Sequence, residues 1–222
     1  MGREYTRNIS VIGAGETPLG LLFADDFEHL LKCKKLQGEG DAIFELDPSI
    51  ALRGNQSLRM MTRTTDAAEG DYIAALYNLF MIPSRRIAAI FHFRLPSLTT
   101  PEYVQFQIKD YDGVNYHSAS IFFYPNTPVW TYLNIGGTET AIPDSATKLY
   151  ADTWHRLTLY LDLANDLYIS AYINSFLLSI SNLSINVDTS EYGPFTQLTI
   201  KTETAGANPV DINIDHISLL EA

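Results

Sequence analysis

The chain has 222 residues, of which 46% are hydrophobic, and a formal net charge of −11. This length fits one β-rich domain that buries roughly 70% of its unfolded surface, and the single cysteine excludes an internal disulfide. Residues 95–222 carry 4 basic and 14 acidic residues, a net charge of −10. Such a surface repels phosphate backbones, so we do not expect nucleic acid as a partner. The sequence contains no run of about 18 apolar residues, so we predict no membrane-spanning helix.

Residues 1–20 contain several glycines and Pro18 and lack any periodicity. We predict an N-terminal arm over residues 1–20, followed by a β-sandwich domain over residues 21–222. The arm has no recognisable signal peptide. We therefore expect the protein to stay where it is made or to leave by another route, such as incorporation into a particle.

From residue 22 onward, short apolar runs alternate with turn-forming residues. The predicted strands are 22–28, 41–46, 57–63, 72–80, 86–95, 103–109, 116–124, 128–135, 154–162, 167–174, 175–180, 195–203 and 210–220. About a dozen short strands at such spacing, without a helical pattern, are typical of a sandwich. The sequence predicts an all-β fold, an antiparallel two-sheet jelly-roll β-sandwich.

The central strands, 154–162 and 167–174, have the clearest alternation. Leu157, Leu159 and Leu161 share one phase, with polar residues between them. Residues 163–166 are short and mostly polar, so the two strands are predicted to form a hairpin with one buried face.

The last predicted strand changes phase in its middle. Val210, Ile212 and Ile214 occupy even positions, whereas Ile217 and Leu219 occupy odd ones. A one-residue slip moves side chains to the opposite face, so we predict a β-bulge near residues 215–216.

Four segments carry a family resemblance: Phe23–Glu28, Arg53–Leu58, Trp154–Leu157 with Asp162 and Tyr168, and Ile214–Leu219. Together they resemble the concanavalin A-like lectin/glucanase superfamily, a jelly roll that laminin-G-like and carbohydrate-binding-module-like domains also adopt. The likeness covers most of residues 21–222 and implies the fold more than any activity.

The glucanase branch of that superfamily uses two glutamates on one strand, spaced around an aspartate. After Glu39 and Asp41 the motif requires the second glutamate by position 44, but Glu45 comes one position later. After Glu45 and Asp47 no second glutamate follows. Because hydrolysis needs a pair of carboxylates flanking the bond, we expect no enzyme activity. A glucanase-type glycoside hydrolase remains an alternative if carboxylates from distant strands converge.

Calcium is the one cofactor that the resemblance implies. Similar carbohydrate-binding modules hold a structural calcium near their first and last strands, which implies Glu28 and Asp215 as ligands here. Residues 110–115 also have oxygen ligands at calcium-like spacing, but Gly113 is fourth in that run, whereas a calcium loop requires glycine in sixth position. A hairpin turn explains this run without an ion.

Five aromatic residues are candidate ligand-binding residues. Tyr160, Tyr168 and Tyr172 fall on the polar phase of the central hairpin, and Trp130 and Tyr132 share one phase of residues 128–135. A ring exposed on a sheet stacks on the apolar face of a sugar. In the alternative interpretation, both faces of these strands are covered and the rings belong to the core.

The sequence favours a non-catalytic, lectin-like module that binds glycan. The alternative is a structural subunit of a virion or surface assembly, such as a phage capsid decoration or tail protein, with neighbouring protein subunits as partners. In that case the N-terminal arm docks on a neighbour and the chain forms a homo-oligomer.

Overall fold

The structure is a computed structural model that describes residues 20–29, 31–38, 40–64, 66–82, 84–146 and 149–222. The described residues form β-strands and no helix, so no helix that could cross a membrane lies among them. The predicted N-terminal arm lies outside the described residues except for its last position.

The strands are short, and turns or loops join them. In chain order they are β1 (Leu21–Asp25), β2 (Lys34–Gln37), β3 (Ile43–Asp47), β4 (Ser57–Met61), β5 (Tyr72–Phe80), β6 (Arg86–Arg94), β7 (Pro101–Tyr111), β8 (Asn115–Tyr124), β9 (Val129–Leu133), β10 (Glu139–Ala141), β11 (Trp154–Asp162), β12 (Leu167–Ile173), β13 (Phe176–Leu178), β14 (Asn186–Thr189), β15 (Phe195–Thr204) and β16 (Asp211–Glu221).

The strands form two antiparallel sheets of eight strands each. Sheet A has the order β13-β12-β11-β6-β16-β4-β3, with β1 paired to β16. Sheet B has the order β10-β9-β8-β7-β15-β5-β2, with β14 paired to β8. This arrangement confirms the predicted all-β, two-sheet jelly-roll sandwich.

The core lies between the two sheets, and strand alternation supplies it. Val104, Phe106 and Ile108 of sheet B have no exposed surface, and neither do Leu157 and Leu159 of sheet A. These residues belong to one hydrophobic cluster. Because successive residues of a strand point to opposite faces, each strand leaves an alternate set of side chains on the outside of the sandwich.

Strands β11 and β12 form the predicted hairpin, but its alternation is broken once. The register shifts between Tyr160 and Leu161, so Tyr168 pairs with Leu161 and is fully buried. Ile169 takes the outward position and is 36% exposed. The predicted polar phase of Tyr168 is therefore wrong, because the bulge puts Tyr168 on the opposite face from Ser170 and Tyr172, which follow it in β12.

The predicted bulge in the last strand is confirmed. The register of β16 with β6 shifts between Asp215 and Ile217, and His216 between them has a φ of 55°. Ile214 and Ile217 are both fully buried. The extra residue thus keeps the isoleucines on both sides of the bulge in the core.

Candidate functional site

The outer face of sheet B, which points away from the core, carries the candidate site. On β7 the core positions alternate with Tyr103, Gln105, Gln107 and Lys109, which are half-buried at the surface. Residues directly opposite one another on paired strands share a face, so the register assigns the other members. They are Tyr72, Ala74, Leu76, Asn78, Phe80, Tyr116, Ser118, Ser120, Phe122, Phe195, Gln197, Thr199, Lys201 and Glu203, with Lys34 opposite Leu76 and Asp188 opposite Tyr116.

Tyr103, Lys201 and Glu203 form a hydrogen-bonded cluster at one end of this face, the Tyr103 cluster. Tyr103 Oη donates to Glu203 Oε2 at 2.6 Å. Lys201 Nζ donates to Tyr103 Oη at 2.7 Å and to Glu203 Oε2 at 2.9 Å. The ammonium also lies 4.6 Å from the ring centroid of Tyr72. Burial, with the hydrogen bond to Glu203, raises the pKa of Tyr103 above its ordinary value. The phenol therefore stays protonated and acts as a donor.

The middle of the face is an amide strip made of amide and hydroxyl side chains. Its members are Asn78, Gln105, Gln107, Ser118, Ser120 and Gln197. Gln107 Nε2 donates to Ser120 Oγ at 2.8 Å, and Gln197 Nε2 donates to the Asn78 carbonyl at 3.0 Å. These contacts hold the amide groups in place. The half-buried glutamines and the exposed Asn78 present both donors and acceptors to a ligand, whereas Ser118 and Ser120 are buried.

The far end of the face is an aromatic row that crosses four adjacent strands. Phe80, Phe195, Tyr111 and Tyr116 lie directly opposite one another on β5, β15, β7 and β8. Tyr111 and Phe195 stack with ring centroids 4.2 Å apart, and Tyr192 packs on them edge-on. Phe80 is 97% exposed and Tyr192 is 66% exposed, so the row offers free ring surface next to the amide strip.

Three of the five aromatic residues predicted as ligand-binding residues are buried. Trp130 and Tyr168 have no exposed surface, and Tyr132 is 9% exposed. Trp130 packs on the Phe123 ring at 4.7 Å. The bulky phase of β9 thus fills the core, and the prediction that these three rings are exposed is wrong.

Tyr168 instead ties the two sheets together. Its Oη accepts a hydrogen bond from the Ser120 amide at 3.0 Å and lies 3.0 Å from the Leu133 carbonyl oxygen, to which it donates. Burial raises the pKa of this phenol. The hydroxyl thus bonds to the backbone of sheet B while the ring fills the core.

The remaining two predicted residues, Tyr160 and Tyr172, lie together on the outer face of sheet A. Both are half-buried, and their rings meet edge-to-face with centroids 6.2 Å apart. They are on the opposite side of the sandwich from the amide strip. The structure therefore brings these two together but separates them from the candidate site.

Glu28 and Asp215, the predicted calcium ligands, converge on the loop between β3 and β4. Glu28 Oε1 accepts the Asn55 amide at 2.8 Å, and Asp215 Oδ2 accepts the amides of Leu52 and Arg53 at 2.6 and 2.9 Å. Asp215 is fully buried, and its Oδ1 has no hydrogen-bond partner among the described residues. Burial raises the pKa of Asp215 above its ordinary value. The described residues form no cluster of three or more acidic, histidine or cysteine side chains suited to a metal ion.

The carboxylates considered for glucanase chemistry do not lie on the candidate site. Glu45 and Asp47 belong to β3 in sheet A, and Asp47 accepts hydrogen bonds from Ser49. Glu39 lies outside the described residues.

Sequence reasoning missed Lys201 and Glu203 as site residues. The available signal was the polar phase of residues 103–109, where Tyr103, Gln105 and Gln107 alternate with core residues. The sequence pattern does not indicate which strand pairs with residues 103–109, because the bonded residues Tyr103 and Glu203 are 100 positions apart in the sequence.

No protein-family model matches the chain, and no curated protein matches its sequence. Solved structures do match. The cellulose induced protein Cip1 has a TM-score of 0.62 at 17% identity, over 90% of this chain and 97% of its own. An endo-β-1,4-glucuronan lyase from the fungus Trichoderma reesei has a TM-score of 0.60 at 14% identity, over 91% of this chain and 96% of its own. The VIP36 exoplasmic/lumenal domain, in a Ca²⁺/Man3GlcNAc-bound form, has a TM-score of 0.53 at 12% identity, over 90% of each chain. These likenesses establish the fold alone, the jelly roll that the resemblance implied.

Proposed function

We propose that the chain binds a glycan on the outer face of sheet B. The observation that carries the proposal is the amide strip lying between two aromatic groups on one face. Sugars present hydroxyl groups, which pair with amides and hydroxyls, and apolar C–H faces, which pack on rings. The strip and the aromatic row supply both kinds of contact side by side.

Two further observations support glycan as the ligand class. The VIP36 domain of similar fold is bound to Man3GlcNAc, and the lyase of similar fold acts on glucuronan, as their names state. This is a fold-level analogy, and the residues of the face carry the argument. From Tyr103 to Tyr111 the face extends about 27 Å along the strand, which is enough for several sugar units.

Binding to a glycan array tests the proposal with three variants. Phe80→Ala removes an exposed ring that the fold does not need, and Gln107→Ala removes an amide of the strip. Each should weaken binding about tenfold, or ~1.4 kcal/mol. Tyr172→Ala, on the outer face of sheet A, is the matched control and should leave affinity unchanged. If only Tyr172→Ala weakens binding, the site is on sheet A instead.

We also propose that binding is not followed by cleavage. Glycoside hydrolysis requires two carboxylates across the bond. Glu203, at one end of the outer face, is engaged by Lys201 and Tyr103. Neither new reducing ends nor unsaturated products should appear when array-positive glycans are incubated with the protein. Product formation that Glu203→Gln abolishes would refute this proposal.

A structural calcium ion at Glu28 and Asp215 is a second proposal. Calcium prefers carboxylate and carbonyl oxygens, and the Asp215 Oδ1 atom, buried without a hydrogen bond, fits such a role. The ion would supply charge compensation for two carboxylates that meet at one loop. Calcium should raise the melting temperature by mass action, and Asp215→Asn should abolish the increase. Asp144→Asn, at an exposed position, is the control and should keep the calcium-dependent increase in melting temperature. An equal increase in the two variants would contradict this site.

A further inference from the structure

Lys109 lies at the end of the amide strip that adjoins the aromatic row. It is half-buried, lies directly opposite Ser118 and Gln197, and has its ammonium 5.4 Å from the centroid of the Tyr116 ring. Same-face neighbours on a strand are about 6.7 Å apart. A sugar that packs on the row therefore places its substituents within reach of this ammonium.

The ammonium of Lys109 has no anionic partner among the described residues. Lys201, on the same face, pairs with Glu203 at 2.9 Å, and Arg59 in sheet A pairs with Asp211 at 2.8 Å. Lys109 contacts a ring face instead. Burial alone lowers its pKa below the ordinary value, and a bound anion would offset that cost.

We propose that the glycan bound on this face is anionic, and that Lys109 binds its carboxylate or sulfate group. The inference rests on the proposed glycan-binding function and specifies its ligand class. Gln197 lies directly opposite Lys109 and Gln107 lies two residues before it on β7, so their amides are placed to complete the hydrogen bonding of the bound anion. A charge-assisted hydrogen bond is roughly twice as strong as a neutral one, so Lys109 decides between acidic and neutral sugars.

The overall charge makes the proposal specific. Residues 95–222, which supply most of this face, have a net charge of −10 and repel acidic polymers at long range. General electrostatic attraction therefore does not account for a preference for acidic glycans. Any such preference requires a local cation.

Titration calorimetry with matched oligosaccharides tests the inference. The probes are oligomers of glucuronate, mannuronate and galacturonate, each beside its carboxyl-reduced neutral counterpart, and a sulfated oligomer beside its desulfated form. The wild-type chain should bind at least one acidic member about tenfold more tightly than its neutral partner. The uronate and sulfate pairs identify which anion is recognised.

Three lysine variants test the residue. Lys109→Met keeps the length of the side chain and should remove the acidic preference while leaving neutral affinity within about twofold, since the packing is retained. Lys109→Arg should retain the preference. Lys35→Met changes the net charge equally and should have no effect, because this exposed lysine of β2 lies opposite Ala75 and so does not belong to the outer face of sheet B.

The outcomes separate the inference from the function on which it rests. If glycans bind but no acidic member is preferred, or if Lys109→Met weakens acidic and neutral members equally, the anionic proposal is wrong and glycan binding stands. If no oligomer binds at all, both proposals are wrong. Thermal melts of each variant ensure that a loss of binding is not a loss of folding.

Discussion

Leu159 and Thr158 are neighbours on β11 whose side chains lie on opposite faces of sheet A. Leu159 is fully buried between the sheets, whereas Thr158 points outward and is still only 5% exposed. The Thr158 hydroxyl is buried without a hydrogen-bond partner among the described residues. The outer face of sheet A is therefore dry at this position.

We expect opposite effects from two substitutions at these positions. Leu159→Ala leaves a cavity in the core and should lower the free energy of unfolding by about 2–5 kcal/mol. Thr158→Val replaces an unsatisfied buried hydroxyl by a methyl group of similar shape, so it should leave stability unchanged or raise it by about 1 kcal/mol. Denaturant melts measure both. A loss of stability in Thr158→Val would mean that its hydroxyl has a partner in solution.

Asp112 stabilises the turn between β7 and β8 through its charge. Its Oδ1 accepts the amides of Asn115 and Val114 at 2.7 and 2.8 Å, and Oδ2 lies 3.3 Å from His117 Nε2. The two backbone hydrogen bonds, with a smaller contribution from His117, lower the pKa of Asp112 to about 2.

This lowered pKa predicts a pH dependence of stability. A carboxyl whose folded pKa lies below its unfolded value of about 3.9 stabilises the fold above that pH, and the stabilisation disappears as the pH falls toward 2. Asp112→Asn keeps an oxygen acceptor but no charge. The stability difference between wild type and Asp112→Asn should therefore shrink from pH 5 to pH 2 in denaturant melts. Glu191→Gln, on an exposed loop, is the control, and a constant difference for Asp112→Asn would contradict the prediction.

At the scale of elements, the bulge in β16 sets which side chains reach the core. His216 adopts a positive φ and is the residue left unpaired between Asp215 and Ile217. Beyond it, Ile217 and Leu219 are fully buried. One inserted residue thus aligns two halves of a strand that have opposite phase in the sequence.

Deletion of His216 should be severely destabilising. Without the bulge, a one-residue slip turns Ile217 and Leu219 outward, and exposing two large apolar side chains costs about 3–6 kcal/mol. His216→Asn is the matched control, because asparagine tolerates positive φ, and it should cost less than about 1 kcal/mol. Comparable losses in the two variants would show that the imidazole, not the extra residue, stabilises this strand.

At the scale of the whole molecule, the strands that the described residues form lie between residues 21 and 221. Residues 1–20 contain several glycines and Pro18 and show no strand pattern, which predicts an N-terminal arm. This arm remains a prediction, because all but its last residue lie outside the described residues. The assembly role that this arm would serve, in a virion or a surface structure, also stays a prediction.

Deletion of residues 1–18 tests both ideas. The melting temperature of the monomer should be nearly unchanged, because a segment without an apolar pattern contributes little to the core. Any self-association, measured by native mass spectrometry, should weaken. A chain with residues 1–18 in shuffled order separates the effect of sequence from that of length. A large drop in monomer stability on deletion would mean that the arm is an integral part of the sandwich.

The sequence by itself determined the features that depend on neighbouring residues. Alternation with period two predicted the β class and the hairpin of β11 and β12, and the phase change around His216 predicted its bulge. Asp112 and Gly113 predicted the turn after β7, where Gly113 has a φ of 98°. These features follow from local sterics and from the burial of one face, both of which are visible in short runs of residues.

Only the tertiary structure decided which face of each strand is covered and which strands are neighbours. Trp130 and Tyr132 fill the core because β9 turns its bulky phase inward. Tyr168 joins them because the pairing of β11 with β12 slips by one residue, which no single strand reveals. The Tyr103 cluster likewise exists because β15 pairs with β7 across 100 positions of sequence. Register between distant strands is fixed by the packing of the whole core, so the composition of the candidate site could not be predicted from local pattern.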